Sequence, residues 1–164
     1  MNNEYYDSTI KDIEDIQLLQ IQSQAQLILA MGYIFEYIAS NQAIQIIKDR
    51  VAVRTYDKQN GNYTNEEERL KEAEKIWRNA GIDADKTALI AATLELYGQI
   101  FIANIVYVKL QRLATNVNDR DLTLSKTANY EIYIGAVLEL IAYVFNYQGA
   151  LILYEISNQD YTDD

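Results

Sequence analysis

The sequence contains no cysteine and no histidine, which removes the side chains most used as transition-metal ligands and as nucleophiles or general bases. Disulfides and thiol chemistry are excluded with the cysteines. Any acid–base chemistry would fall to Asp, Glu, Lys or Tyr, and a metal site would need oxygen ligands alone. The chain also has no glycine-rich phosphate loop and no nucleophile elbow. We therefore expect no enzyme activity and no cofactor.

Proline is absent and glycine occurs only six times in 164 residues, so little in the sequence interrupts a helix. Apolar periodicity and capping signals predict four helices, at about 8–54, 65–80, 85–115 and 122–157. Gly81 is placed to end the second helix, and Asp83 and Asp85 are both candidate N-caps of the third. The predicted fold is all-α, an antiparallel helical bundle of three long helices plus one short helix, in a single domain of residues 1–164.

Basic residues are few, and the net charge is −10. Residues 50–86 hold eight acidic and eight basic side chains, whereas the flanking regions are acidic. No basic face is available to collect phosphates, so nucleic-acid binding is not expected. A DNA-mimic role is weakly supported, because the acidic run 66–68 is followed by basic residues. The first residues lack the pattern of a secretory signal, and we expect a cytoplasmic location.

Two stretches resemble each other: IAATLELYGQIF at 90–101 and IGAVLELIAYVF at 134–145, identical at six of twelve positions. Each carries one glutamate within an apolar run, Glu95 and Glu139. An ancient duplication explains the similarity, and so do two amphipathic helices drawn from the same few residue types. Both explanations stay open.

On a helical wheel, Glu95 and Glu139 lie opposite the broad apolar face of their helices. We expect both carboxylates to be solvated or to lie beside a second contact made of small residues. A carboxylate metal site formed by Glu36, Glu95 and Glu139 is disfavoured, because bundle sites of this kind normally pair glutamate with histidine. These three glutamates are the weak carboxylate candidates of the sequence.

Three segments, 27–47, 88–108 and 132–154, are each about one bilayer span long and carry a single charge. Each also contains Asn or Gln, which raises the free energy of membrane insertion. A small integral membrane helical protein, with polar residues inside three spans, is therefore the alternative to a soluble bundle.

Three amides occupy corresponding positions when the long helices are aligned on the repeat: Gln42, Asn104 and Gln148. Asn104 and Gln148 lie at the centre of the apolar stripes of their helices. A buried amide needs hydrogen-bond partners, so the three side chains could form one buried layer that sets helix register. The alternative is that each amide bonds a nearby carbonyl or water.

Fourteen tyrosines occur, and Tyr143, Tyr147 and Tyr154 stand on the flank or back of the last apolar stripe. They are candidates for a protein interface or for the edge of the bundle. The short helix reads as a charged lid docked through Ile76 and Trp77. The third helix is apolar on much of its circumference, which predicts a central position or burial by a partner. We expect a homo-oligomer, with a dimer favoured, or binding to another protein.

Overall fold

A computed structural model of the chain describes residues 2–60, 66–115 and 121–159, with side chains described for 10–56, 68–113 and 126–159. The described residues form four helices: α1 (Asn2–Asn60), α2 (Glu66–Asn79), α3 (Ala84–Thr115) and α4 (Asp121–Gln159). No strand occurs in these ranges. The predicted all-α class is confirmed, and the helices pack against one another.

The helix limits follow local capping chemistry. Helix α2 ends where Gly81 adopts a φ of 75°, a left-handed conformation that glycine reaches without a steric penalty. Two residues later, Asp83 accepts a hydrogen bond from the backbone N–H of Lys86 at 2.9 Å, as an N-cap does. Helix α1 differs from prediction, because it extends six residues beyond each predicted end. At 59 residues it is about 90 Å long at 1.5 Å per residue.

Helix α3 is the element against which both α1 and α4 pack. The buried apolar residues are mostly small, so the helix backbones approach one another closely. A Cβ built on Gly98 of α3 would lie 3.0 Å from the backbone oxygen of Ala25 and 2.7 Å from Cγ of Leu29, both in α1. Small side chains therefore set the spacing of α1 and α3. The buried apolar residues are Ala25, Ala39, Trp77, Ala91, Ala92, Ala103, Ile105 and Ala136.

Helix α2 docks through one of its two predicted anchors. Trp77 is buried, and its indole N–H donates to Oδ2 of Asp49 in α1 at 2.9 Å. Arg78 donates to the backbone oxygen of Ser157 in α4 at 2.6 Å, and Arg50 of α1 pairs with Glu74. Ile76, the other predicted anchor, is 62% exposed, so the prediction for this residue is wrong. Helix α2 is therefore held by the buried indole of Trp77 and by the polar contacts around it.

Large apolar side chains remain in solvent along all three long helices. The accessible surface is 12163 Å², whereas a compact monomer of 18.9 kDa exposes roughly 8,000 Å². The single chain thus leaves much apolar surface to be covered.

Candidate functional site

The sequence-predicted glutamate of α3, Glu95, is inside the structure. Its residue is only 5% exposed, and its Oε1 has no hydrogen-bond partner among the described residues. Burial, followed by the nearby charge of Glu36, raises the pKa of Glu95 to about 6. Of the two alternatives expected for Glu95, solvation is excluded, and the side chain lies beside a contact made of small residues, Gly32 and Ala91.

The physical reason is the close approach of α1 to α3. A Cβ built on Gly32 would lie 2.5 Å from Cγ of Glu95 and 3.2 Å from the backbone oxygen of Ala91. The missing side chain of Gly32 thus makes the space that the Glu95 stem occupies. A wheel ranks faces by large apolar residues, but here the packed face of α3 is the one with small residues.

One turn further along α3, Gln99 is 2% exposed and bonds across to α4. Its amide N–H₂ group donates to Oε2 of Glu139 at 3.0 Å and to the backbone oxygen of Ala136 at 3.2 Å. Gln99 was not singled out from the sequence, although the spacing of four residues from Glu95 places both on one side of the helix. Glu139 itself is exposed, as predicted, but its carboxylate is fixed by this bond.

The three carboxylate candidates come from three helices, and two of them lie near each other. Glu36 acts on Glu95 electrostatically, and both Glu95 and Glu139 act on Tyr143. Within the described part of the chain, no group of three carboxylates is close enough to hold a metal ion.

An acidic cleft of about 390 Å³ opens beside Glu95, between α1, α3 and α4. Its carboxylates are Glu36, Asp85 and Glu95, and no lysine or arginine lines it. Apart from the polar amide of Asn146, its remaining walls are small or apolar: Ala88, Ala91, Ala92, Phe145, Gly149, Ala150 and Leu153. The cleft combines negative charge with apolar walls.

The tyrosines proposed for an interface are partly buried. Tyr143 shares a hydrogen bond of 2.6 Å with Tyr33 of α1, through the two hydroxyl oxygens. Burial first, then this hydrogen bond, raises the pKa of Tyr143 above its ordinary value. Tyr147 and Tyr154 are half-buried on the same helix. Tyr143 thus ties α4 to α1 within the chain.

The three amides do not form a buried layer within a single chain. Gln42 is half-buried, and its Oε1 is enclosed without a hydrogen-bond partner among the described residues. Asn104 and Gln148 are exposed. In one chain the buried amide is Gln99 instead.

Helix α4 presents a continuous apolar face to solvent, which we call the α4 stripe. It consists of Tyr130, Ile134, Leu138, Ile141, Val144, Phe145, Ile152 and Ile156, each between 38% and 67% exposed. Gln148 lies at its centre and is also exposed. Exposed apolar patches of this extent are unusual on a soluble monomer and typically mark an interaction surface.

Two described helical segments, Ala84–Leu113 and Lys126–Gln159, are long and apolar enough to cross a membrane. Only 6% of the most apolar window in the second segment is buried, against 39% in the first. Of the three spans considered from the sequence, 27–47 in α1 does not meet the same criterion. Length and composition alone support this observation.

No family model, curated protein or solved structure matches this chain.

Proposed function

We propose that this chain is a non-catalytic structural or protein-interaction protein that self-associates through the α4 stripe. The observation that carries the proposal is the exposure of eight large apolar side chains along one face of α4. Exposure of such a face to water is unfavourable. Contact between the same surfaces of two copies would bury the apolar side chains of both chains.

The area of the stripe fits a stable interface. Its eight side chains together expose roughly 800 Å², which is about the area that each partner buries in a standard protein–protein interface. A dimer formed through this surface needs no contribution from another protein. The excess accessible surface of the single chain is in keeping with this arrangement.

The spacing within the stripe is that of a helix–helix seam. Ile134, Leu138, Ile141, Phe145, Gln148 and Ile152 follow one another at alternating intervals of four and three residues. This is the heptad pattern by which two helices interdigitate their side chains. Gln148 is the single polar position, and such a residue typically fixes the register of the seam at a cost in stability. The amide predicted from the sequence to set register would act between chains.

Within each chain, we propose an antiparallel bundle of three long helices and one short helix forming one domain. The order of contacts supports this topology. From the N-terminal to the C-terminal side of α1, Gln22 bonds Lys109, Ala25 lies against Gly98, and Gly32 lies against Ala91. Between α3 and α4, the ring of Tyr107 lies 5.7 Å from that of Tyr133, and Gln99 donates a hydrogen bond to Glu139. In both pairs of helices, residue numbers rise along one helix as they fall along its neighbour, as expected of antiparallel helices.

A small integral membrane protein is the second candidate, favoured by the two long apolar helices and by the small residues between α1 and α3. The arrangement of α1 counts against it. Ala25 of α1 lies against Gly98, in the middle of the first apolar segment, and its neighbours Gln24 and Gln26 are exposed. A membrane around α3 would place these amides in hydrocarbon, which raises their free energy.

Purification without detergent, followed by light scattering and sedimentation, tests the proposal. The wild-type chain should be soluble and dimeric, and the variant Leu138→Glu/Phe145→Glu should be monomeric with unchanged helical content. Both side chains are more than 60% exposed in the single chain, so the substitutions should destabilise the dimer without destabilising the fold of one chain.

Ile76→Glu is the matched control, because Ile76 is 62% exposed and Leu138 is 61% exposed, but Ile76 lies on α2. This variant should remain dimeric. A monomeric wild-type chain would refute self-association. If the protein were recovered only in the membrane fraction and were not released from it by carbonate, the integral membrane candidate would be favoured instead.

A further inference from the structure

The negative charges of the acidic cleft are spread along its length. Asp85 lies in the first turn of α3, and Glu95 is ten residues further along, so their backbones are about 15 Å apart along the helix. Glu36 of α1 joins Glu95 at the far end. The cleft thus has one acidic group at one end and two at the other.

Between these ends the α3 side of the cleft is apolar. Ala88, Ala91 and Ala92 lie on α3 between the carboxylates, and Gly149 and Ala150 face the cleft from α4. Nothing lies within 4 Å of a Cβ built on Gly149, so the space above this residue is open. An unbranched methylene chain fits such a trough.

Glu95 provides independent support for a ligand. The residue is 95% removed from solvent, it lines the cleft, and its Oε1 has no hydrogen-bond partner among the described residues. A buried carboxylate is costly when no donor satisfies it. A cation held in the cleft beside this carboxylate would offset the charges of Glu95 and Glu36.

A single metal ion does not suit this arrangement, since the described carboxylates do not converge on one point. A basic side chain from another protein could reach one end but would not use both. An extended linear tetraamine such as spermine has about the length of the cleft and carries cations along an aliphatic chain. The positions of the carboxylates at the two ends and the length of the cleft agree with this class of ligand, with the inner ammonium groups left toward solvent.

We propose that this cleft binds a linear aliphatic polyamine. Its terminal ammonium groups lie at Asp85 and at the Glu36–Glu95 pair, and its methylene chain lies over Ala88, Ala92 and Gly149. The inference does not rest on self-association.

Isothermal titration with spermine at low ionic strength tests the proposal on the full chain. One spermine per chain should bind, and Glu95→Gln should weaken the affinity about tenfold or more, because a charged hydrogen bond is lost. Gly149→Leu should also weaken binding, by filling the trough without removing charge. The matched control is Glu155→Gln, an exposed acid of α4 outside the cleft, which should change the affinity less than about twofold.

Two comparisons separate a built site from general attraction to an acidic protein. Mg²⁺ at equal charge concentration should compete poorly with spermine, and Leu138→Glu should bind spermine like wild type, because Leu138 does not line the cleft. Equal weakening by Glu95→Gln and Glu155→Gln would overturn the proposal. So would wild-type affinity in Gly149→Leu, or no detectable binding to the wild-type chain.

Discussion

Gly32 of α1 lies directly against the Glu95 side chain of α3, at a distance that leaves no room for a methyl group. A Cβ at this position would lie 2.5 Å from Cγ of Glu95 and 3.2 Å from each of two backbone atoms of α3. Glycine is unfavourable in helix interiors, so this contact gives its presence in the middle of α1 a packing reason.

Gly32→Ala should therefore destabilise the chain, even though alanine favours the helix. Overpacking of a close helix contact costs about 1–3 kcal/mol, which exceeds the gain of up to about 1 kcal/mol from helix propensity. Gly135→Ala is the control: nothing lies within 4 Å of its Cβ, so that variant should be stabilised. Urea unfolding followed by circular dichroism measures both. Equal stabilisation of the two variants would show that α1 and α3 do not approach this closely.

The raised pKa of Glu95 predicts a pH dependence of stability. Its value is about 6 in the folded chain against an ordinary value of 4.5, so the folded state binds the proton more tightly than the unfolded state. The contribution of Glu95 to stability is therefore fully present below pH 4.5 and is lost as the pH rises through 6. At about 1.4 kcal/mol per pKa unit, the loss is at most about 2 kcal/mol.

Glu95→Gln should remove this dependence and be more stable than wild type above pH 6, with the difference shrinking toward pH 4.5. Other groups near Glu95 also carry charge or titrate, namely Glu36 of α1 and Glu139 and Tyr143 of α4. The measurement is thus the difference between the two melting curves as a function of pH. Glu131→Gln, an exposed acid of α4, should give a flat difference. A flat difference for Glu95→Gln as well would place Glu95 in water.

Gln99 tests the buried polar contact between α3 and α4. Gln99→Glu keeps the shape but replaces the donor to Glu139 with a second carboxylate, in a position that is 2% exposed. We expect a loss of about 3 kcal/mol or more at neutral pH, partly recovered in acid as the new carboxyl group is protonated. Gln45→Glu is matched, because exposed Gln45 also donates to a carboxylate, that of Asp49. It should cost less than about 1 kcal/mol, and equal losses would contradict a buried role for Gln99.

The end of α2 and the start of α3 could be read from the sequence because their signals are local, whereas both ends of α1 were predicted six residues too short. Gly81 ends α2 and Asp83 caps α3 as predicted, and both depend on residues within a few positions. The burial of Trp77 was predicted from its large apolar side chain on a charged helix, but the neighbouring Ile76 was predicted in the same way and is exposed. The all-α class follows from the same local information.

The choice of packed face was not predictable in the same way. The helical wheel assigned the core to the large apolar residues, whereas α1 and α3 meet through glycine and alanine and leave many Ile, Leu and Phe side chains in solvent. Glu95 and Gln99 are buried because they share the face with those small residues. The face that packs depends on the partner helix and on how closely the two backbones approach. The sequence of one helix alone predicts neither of these.

Gln148 was predicted to set helix register, and in the single chain its side chain is exposed on the α4 stripe. If the α4 stripe joins two chains, its amide lies in an otherwise apolar seam, where it lowers stability while fixing register. Gln148→Leu should strengthen self-association, seen as a lower dimer dissociation constant, and should permit more than one association state. The exposed amide Gln45 provides the control, since Gln45→Leu adds the same side chain on α1 away from the stripe. Sedimentation equilibrium measures both variants. An unchanged oligomer with a lowered melting temperature for Gln148→Leu would contradict the seam, because an apolar replacement in an apolar interface has no reason to destabilise it.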